Sequence, residues 1–319
     1  MPDDVLLRRG RRRAAALAVG LACGAAGLAG CGSGLAGGDG RLRVEAAFEP
    51  LAWVAEEVGG DRVDVHDLTP PGAEPHDLEL SPRDVAILQE ADLVVLVEGF
   101  QPAVDEAAAG GRAPILDALA VAGDPPAASG GHEERDGHED GDGHDRHPDP
   151  HLWLDPTRLA RVATAVGERL AALDPAGADG YRRRATDLVA RLDELDGELR
   201  AGLRSCAVRT LVTSHEAFGW FARRYDLQQV GIAGISPDRE PSPATLARVV
   251  DLVEDRGVTT VYTEALVDPA VARTVADEAG VATAVLDPVE TITDRSAGRT
   301  YLEVMRANLA TLRRGQRCR

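Results

Sequence analysis

Residues 178–203 read ADGYRRRATDLVARLDELDGELRAGL, and this stretch divides the chain. Leu188, Leu192, Leu195 and Leu199 recur at three to four residues, so one apolar stripe runs along an otherwise charged helix. Such a helix can span between two bodies while packing on both. Asp174-Pro175 breaks it from an earlier helical run, Thr157 to Leu173. On the N-terminal side, strands are predicted at Leu42 to Phe48, Val63 to Leu68 and Leu93 to Glu98, with helices at Leu51 to Val58 and Ser81 to Glu90. On the C-terminal side the alternation restarts. Strands are expected at Arg209 to Thr213, Gln229 to Ile232, Thr259 to Thr263 and Thr283 to Leu286, and helices at Ser242 to Glu254, Val271 to Ala279 and Leu302 to Leu312. Strand, helix, strand repeats require crossover connections, hence a mainly parallel sheet in each half. The expected fold class is α/β, with residues 41–173 as a first lobe, 174–204 as the linking helix and 205–319 as a second lobe.

A chain of 319 residues with 44% hydrophobic content suits two such lobes. All 35 basic residues are Arg, which reads as a coding bias and carries no argument about partners. The formal charge of −18 argues against a nucleic-acid partner, because phosphate binding needs a concentrated basic face. Residues 1–30 have the layout of a secretory signal: Arg8, Arg9, Arg11, Arg12 and Arg13, then a small apolar run from Ala14 to Ala29. That run is too short and too rich in Gly and Ala for a membrane span. It ends in Leu28-Ala29-Gly30-Cys31, which resembles the lipobox of bacterial lipoproteins, so Cys31 is expected to carry lipid and become the first mature residue. Residues 31–40 then read as a flexible tether. Loss of residues 1–30, with five Arg and two Asp, takes the formal charge from −18 to −21. Cys206 and Cys318 remain as an even pair in an oxidising compartment, and a disulfide between them is expected; two buried free thiols are the alternative.

Four short stretches place metal-competent side chains at element boundaries, where α/β sheets carry their ligand sites. They are Glu74-Pro75-His76-Asp77, Asp149-Pro150-His151-Leu152-Trp153-Leu154-Asp155-Pro156, Thr213-Ser214-His215-Glu216-Ala217-Phe218-Gly219-Trp220-Phe221 and Val285-Leu286-Asp287-Pro288. Three imidazoles and a carboxylate suit zinc and other late divalent ions. Residues 127–147 form a low-complexity insertion in which His132, His138, His144 and His147 are interleaved with acids. Trp153 and Trp220 are expected to pack beside the ligands, Trp53 to belong to a first-lobe helix, and His66 to be a structural or surface residue.

The second and third of these motifs resemble those of the cluster A-I substrate-binding proteins of zinc and manganese ABC transporters, and the similarity extends from Leu42 to the C-terminus. The resemblance implies two α/β lobes joined by one long rigid helix, with the metal in the cleft between them. It implies ligands at His76, His151, His215 and Asp287, although in some zinc-binding relatives water fills the fourth place. Glu74 stands where the family usually has Asp. Glu74 and Glu216 are candidates for hydrogen-bonding behind the ligands. A Glu at the third His position accompanies Mn2+ in this family, so His215 points to Zn2+. The insertion resembles the His-rich loops of zinc-specific members, implying an auxiliary, low-affinity metal role; a solvated insertion that merely tolerates His is the alternative. The expected function is extracytoplasmic zinc capture and delivery to a membrane permease, by a lipid-anchored monomer that is not an enzyme. A chain without Lys has no Gly-x-x-x-x-Gly-Lys nucleotide loop. A zinc hydrolase would need an open coordination position, and no His-Glu-x-x-His helix or nucleophile elbow is present. A surface metal buffer or adhesin without a transporter could use the same site.

Overall fold

Among the described residues, eight short parallel strands arranged in two separate sheets carry the architecture. The computed structural model describes residues 40–123, 149–237 and 240–319. In the first half β1 (Leu42–Ala46), α1 (Glu49–Gly59), β2 (Val63–Asp67), α2 (Pro82–Gln89), β3 (Leu93–Leu96), α3 (Pro102–Ala109), β4 (Ile115–Asp117) and α4 (Ala118–Ala122) follow in order. The strands line up β2-β1-β3-β4, with Val44 opposite both Val65 and Leu93, and Val94 opposite Ile115. Two long helices follow, α5 (Pro156–Leu173) and α6 (Ala178–Leu203). The second half repeats the pattern with β5 (Thr210–Thr213), α7 (Gly219–Arg224), β6 (Gln228–Gly231), α8 (Pro243–Asp255), β7 (Thr260–Thr263), α9 (Ala270–Glu278), β8 (Ala282–Val285) and α10 (Tyr301–Gly315), in strand order β6-β5-β7-β8.

In each sheet the strand order reverses beside the first strand, between β1 and β3 and between β5 and β7. The loops leaving the carboxyl ends at such a reversal diverge and open a crevice. Helix starts are set locally. Ser81 and Asp84 form a reciprocal capping box on α2, Asp155 caps α5 through Thr157 N, Ser242 caps α8 and Thr300 caps α10.

Helix α6, about 39 Å long at 1.5 Å per residue, buries Tyr181, Leu188, Leu192, Leu195, Leu199 and Leu203. Its N-terminal half docks on the first lobe: Arg184 donates to Val58 O and Gly59 O at 2.7 Å each, and Arg191 pairs with Glu57 at 2.6 Å. Its C-terminal half docks on the second. There Asp196, inside the apolar stripe, accepts from Arg224 at 2.9 and 2.8 Å and from the Tyr225 hydroxyl at 3.1 Å, while Glu198 pairs with Arg306 of α10. Helix α5 lies close against α6 where Gly167 leaves room: a Cβ there would stand 2.9 Å from that of Ala185.

One hydrophobic core passes through both halves, from Phe48, Leu51 and Val95 through the stripe of α6 to Phe218, Tyr262 and Tyr301. A second, smaller core of Val212, Val249, Val253, Val261 and Val275 lies under α8 and α9. Trp53 lies on α1, where it stacks on Tyr301 of α10 at 5.1 Å. Cys206 and Cys318 are joined by a disulfide beside main-chain bonds from Ala207 to Arg317 and Val208 to Gln316. Among the described residues no helix is long and apolar enough to cross a membrane.

The sequence reading places the long elements to within about two residues, except that α10 runs on to Gly315 beyond the predicted Leu312, and it misses the short ones α3, β4, α4 and α7. The predicted first strand stops at Ala46, because Phe48 is already the N-cap of α1. His66 sits on β2, half-exposed, with Nδ1 2.8 Å from the buried Glu45 carboxylate.

Candidate metal centre

All four candidate donors leave the carboxyl side of a strand or the start of a helix. His76 lies on the connection between β2 and α2. There Glu74 Oε1 accepts from His76 N at 3.3 Å, and Gly72, at φ +85°, donates its N–H to Thr291 Oγ1 of the second lobe. His151 precedes α5. Asp149 Oδ1 accepts from both its backbone N (3.0 Å) and its ring Nδ1 (2.8 Å). His215 follows β5, its main-chain oxygen held by Thr213 Oγ1 and Gln229 Nε2 and its Nδ1 2.8 Å from Glu264 Oε1. Glu264 comes directly after β7.

A carboxylate oxygen accepts here, so Asp149 and Glu264 hold a proton on Nδ1 of His151 and His215 respectively and turn the Nε2 atoms of those two rings inward. The atoms that converge are His76 Nε2, His151 Nε2, His215 Nε2 and Glu290 Oε1. They lie within 4.8 Å of one another, and all four are buried without a hydrogen-bond partner. Such converging acceptors are costly unless a cation sits among them. Glu290 Oε1 is 3.5 Å from His151 Nε2, 3.5 Å from His215 Nε2 and 3.8 Å from His76 Nε2. In a tetrahedron the edge is about 1.63 times the centre-to-vertex distance, so these edges correspond to metal bonds of about 2.1 to 2.3 Å, near the zinc–nitrogen and zinc–oxygen range.

The electrostatics agree. Burial pushes Glu290 up, but the imidazoles of His151, His215 and His76 outweigh it and hold the carboxylate well below its ordinary range. Burial opposes charge on His215 and His151, yet Glu264 and Asp149, each with Glu290, raise both above the ordinary histidine value. His76 is lowered by burial; the edge of its ring environment is aromatic, with Phe100 at 4.6 Å. A divalent ion would supply the positive charge that protonated imidazoles otherwise bring to Glu290, displacing their protons.

The fourth residue of this cluster is Glu290; Asp287, expected as a ligand, is not among the four. Asp287 is used in holding its own loop: Oδ1 accepts from Val289 N at 2.8 Å, while its main chain exchanges bonds with the Asn308 amide at 3.0 and 2.7 Å. The turn so made holds Val289 at φ +56°, an unfavourable conformation for a β-branched residue, and delivers Glu290 to the imidazoles. Glu74 and Glu216 are not among the four. Glu74 lines a narrow cavity with Glu264, Asp287 and Glu290, and burial and then Glu290 push its carboxyl up to about 7. Glu216 donates its N–H to Gly234 O, its carboxyl raised by burial and by Asp149. Cys31, His132, His138, His144 and His147 lie outside the described residues. Trp153 and Trp220 are buried beside the site, with Trp153 Nε1 donating to Pro288 O and Trp220 Nε1 to Asp149 O.

Sequence reasoning missed Glu290, Glu264 and the role of Asp149. Glu264 carried the signal used elsewhere, an acid at a strand end, and Asp149 stands two residues before a nominated ligand.

Comparison with known proteins shows the family. Residues 44–315 match the family model described as zinc-uptake complex component A, periplasmic. The high-affinity zinc uptake system protein ZnuA of Bacillus subtilis strain 168 is 34% identical over 280 residues, covering 86% of this chain and 87% of its own length. The zinc-binding lipoprotein AdcA of Streptococcus pneumoniae strain R6 is 34% identical over 282 residues, and the match spans 86% of this chain but only 56% of AdcA. The crystal structure of the Zn(II)-bound ZnuA-like domain of Streptococcus pneumoniae AdcA superposes with a TM-score of 0.70 at 31% identity, covering 87% of this chain and 99% of that domain. Sequence and structure together place the chain in the ZnuA family, zinc-uptake complex component A, periplasmic.

Proposed function

We propose that the chain captures zinc outside the cytoplasm and hands it to the permease of an ABC-type importer. The observation that carries this reading is the set of four buried, mutually unpartnered donor atoms drawn from both lobes. Zn2+ is the cargo, held by His76, His151, His215 and Glu290 in a closed tetrahedron; Mn2+ fits three imidazoles less well. A closed set leaves no position for an activated water, which favours binding over hydrolysis. Lipidated Cys31 tethers the protein to the membrane, the chain works as a monomer, and the His-rich segment around His132, His138, His144 and His147 gathers metal weakly. The names of the relatives support zinc as cargo, and the printed lipoprotein name of AdcA supports the anchor.

Metal content and competition titration of the chain from Gly32 onward test the reading, alongside His76→Ala, His151→Ala, His215→Ala and Glu290→Ala. About one tight zinc per chain is expected, lost in each variant and kept when residues 132–147 are deleted. Binding that vanishes only with that deletion overturns the inter-lobe site. Mass spectrometry of membrane-extracted protein tests the lipid, and an unmodified Cys31 refutes it.

A further inference from the structure

The walls around the donor set differ in kind. On one side is the narrow cavity where the carboxylates of Glu74, Glu264, Asp287 and Glu290 meet Leu266 and Val267. Against His76 and His151 the first lobe brings hydrocarbon. The ring of Phe100, 3% exposed, stands edge-on to His76 at 4.6 Å and lies 5.9 Å from His151. Behind it pack Phe48 at 4.8 Å and Trp153 at 5.3 Å, themselves 4.7 Å apart.

We propose that Phe100 is a specificity-determining residue: its ring fills the space beside His76 and His151 where added water ligands would sit, so ions satisfied by four donors are held and ions that need six are not. The proposal rests on the four donors being the cargo site. Zn2+ has no ligand-field preference and is content with four nitrogen and oxygen donors, whereas Mn2+ favours six, mostly oxygen. With four protein donors, a six-coordinate ion must keep two waters. Each occupies about 30 Å3 and needs polar partners of its own, and an aromatic ring offers neither room nor partner.

The ring is also unable to swing away. Its loop closes in a turn through Phe100 N to Val97 O, and the next residue, Gln101, donates to Thr69 Oγ1, which donates in turn to Ala47 O. The ends of β1, β2 and β3 are thereby tied together behind Phe100. Trp153, at its back, is held by Pro288 O at 2.7 Å and carries the Tyr301 hydroxyl on its own main-chain oxygen. A rigid wall fixes a coordination number where a soft one would adapt.

The test is the visible spectrum of the Co2+-loaded chain, with zinc and manganese affinities by competition, in the wild type, Phe100→Leu and Phe100→Ala. The wild type and Phe100→Leu, which keeps apolar bulk, are expected to show the intense bands of four-coordinate cobalt. In Phe100→Ala those bands weaken as water enters, and the preference for zinc over manganese falls by about tenfold. Should Phe100→Ala not fold, Phe100→Val is read in the same way. Wild-type bands and an unchanged metal preference in the small variants overturn the proposal. A wild-type chain that takes up neither zinc nor cobalt overturns the cargo-site reading instead.

Discussion

Replacing Glu264 separates the two things a carboxylate behind a metal-binding imidazole does. Its Oε1 lies 2.8 Å from His215 Nδ1, with Glu264 7% exposed and His215 fully buried, so solvent cannot substitute for the contact. Glu264→Gln keeps a carbonyl acceptor that can orient the ring, but removes the negative charge that raises the basicity of Nε2. Glu264→Ala removes both. Partners of this kind are worth 10–100-fold in metal affinity, so we expect zinc to bind about tenfold more weakly in Glu264→Gln and about 100-fold more weakly in Glu264→Ala. In free energy these are about 1.4 and 2.7 kcal/mol. Competition against a chromogenic zinc chelator reads the change, and a thermal melt of each variant confirms that it is folded. A folded Glu264→Ala that binds zinc within about threefold of the wild type, well short of the usual worth of such a partner, would refute the reasoning.

Glu290→Ala is expected to remove tight zinc binding, while Asp287→Ala still binds but melts earlier, since a buried acceptor for Val289 N costs about 1–3 kcal/mol to lose; titration and melting of both variants check this. Asp196→Asn weakens the hold of α6 on the second lobe by about 1–2 kcal/mol in denaturant unfolding, as expected for hydrogen bonds to a charged group. Burial alone would raise Asp196, but Arg224 outweighs it and the folded pKa is lowered; the wild type's advantage over Asp196→Asn is therefore full above the ordinary aspartate pKa of about 3.9 and fades as pH falls through the folded value. Gly167→Ala, which would improve helix propensity on an exposed surface, destabilises here by about 1–2 kcal/mol because its Cβ meets Ala185, and an unchanged melting temperature would contradict that packing. Zinc at 1,000 times its Kd should stabilise the chain by about 4 kcal/mol, reversed by a chelator.

The long elements were legible because their periodicity is strong. The stripe of α6 and the apolar runs of β3 and β5 each have one reading that buries them. Segment 98–123 was not legible, since α3, β4 and α4 are three to eight residues long, with Gly110-Gly111 between α3 and β4, and draw their stability from packing on β3 and α5. Three imidazoles were legible because each lies in a motif at an element boundary. Glu290 was not. Its position depends on Val289 at positive φ, a conformation that nothing about valine suggests and that the Asp287 turn and the Asn308 amide impose. Nor could spacing reveal the bond from Trp153 to Pro288, made across 135 residues.

The same contacts explain why the site needs both halves of the chain. The segments before α6 supply His76 and His151, and those after it supply His215 and Glu290, so each half alone offers two donors where zinc takes four. Other ties cross the boundary as well, among them Gly72 to Thr291, Trp153 to Pro288 and Trp220 to Asp149. Helix α6 makes that pairing reproducible, because its apolar stripe belongs to the core that runs through both lobes and its polar contacts fix one end on α1 and the other on α7 and α10. On the proposed reading, metal affinity depends on how the lobes are docked, and substitutions along α6, some distance from any donor atom, are expected to act on it through that docking.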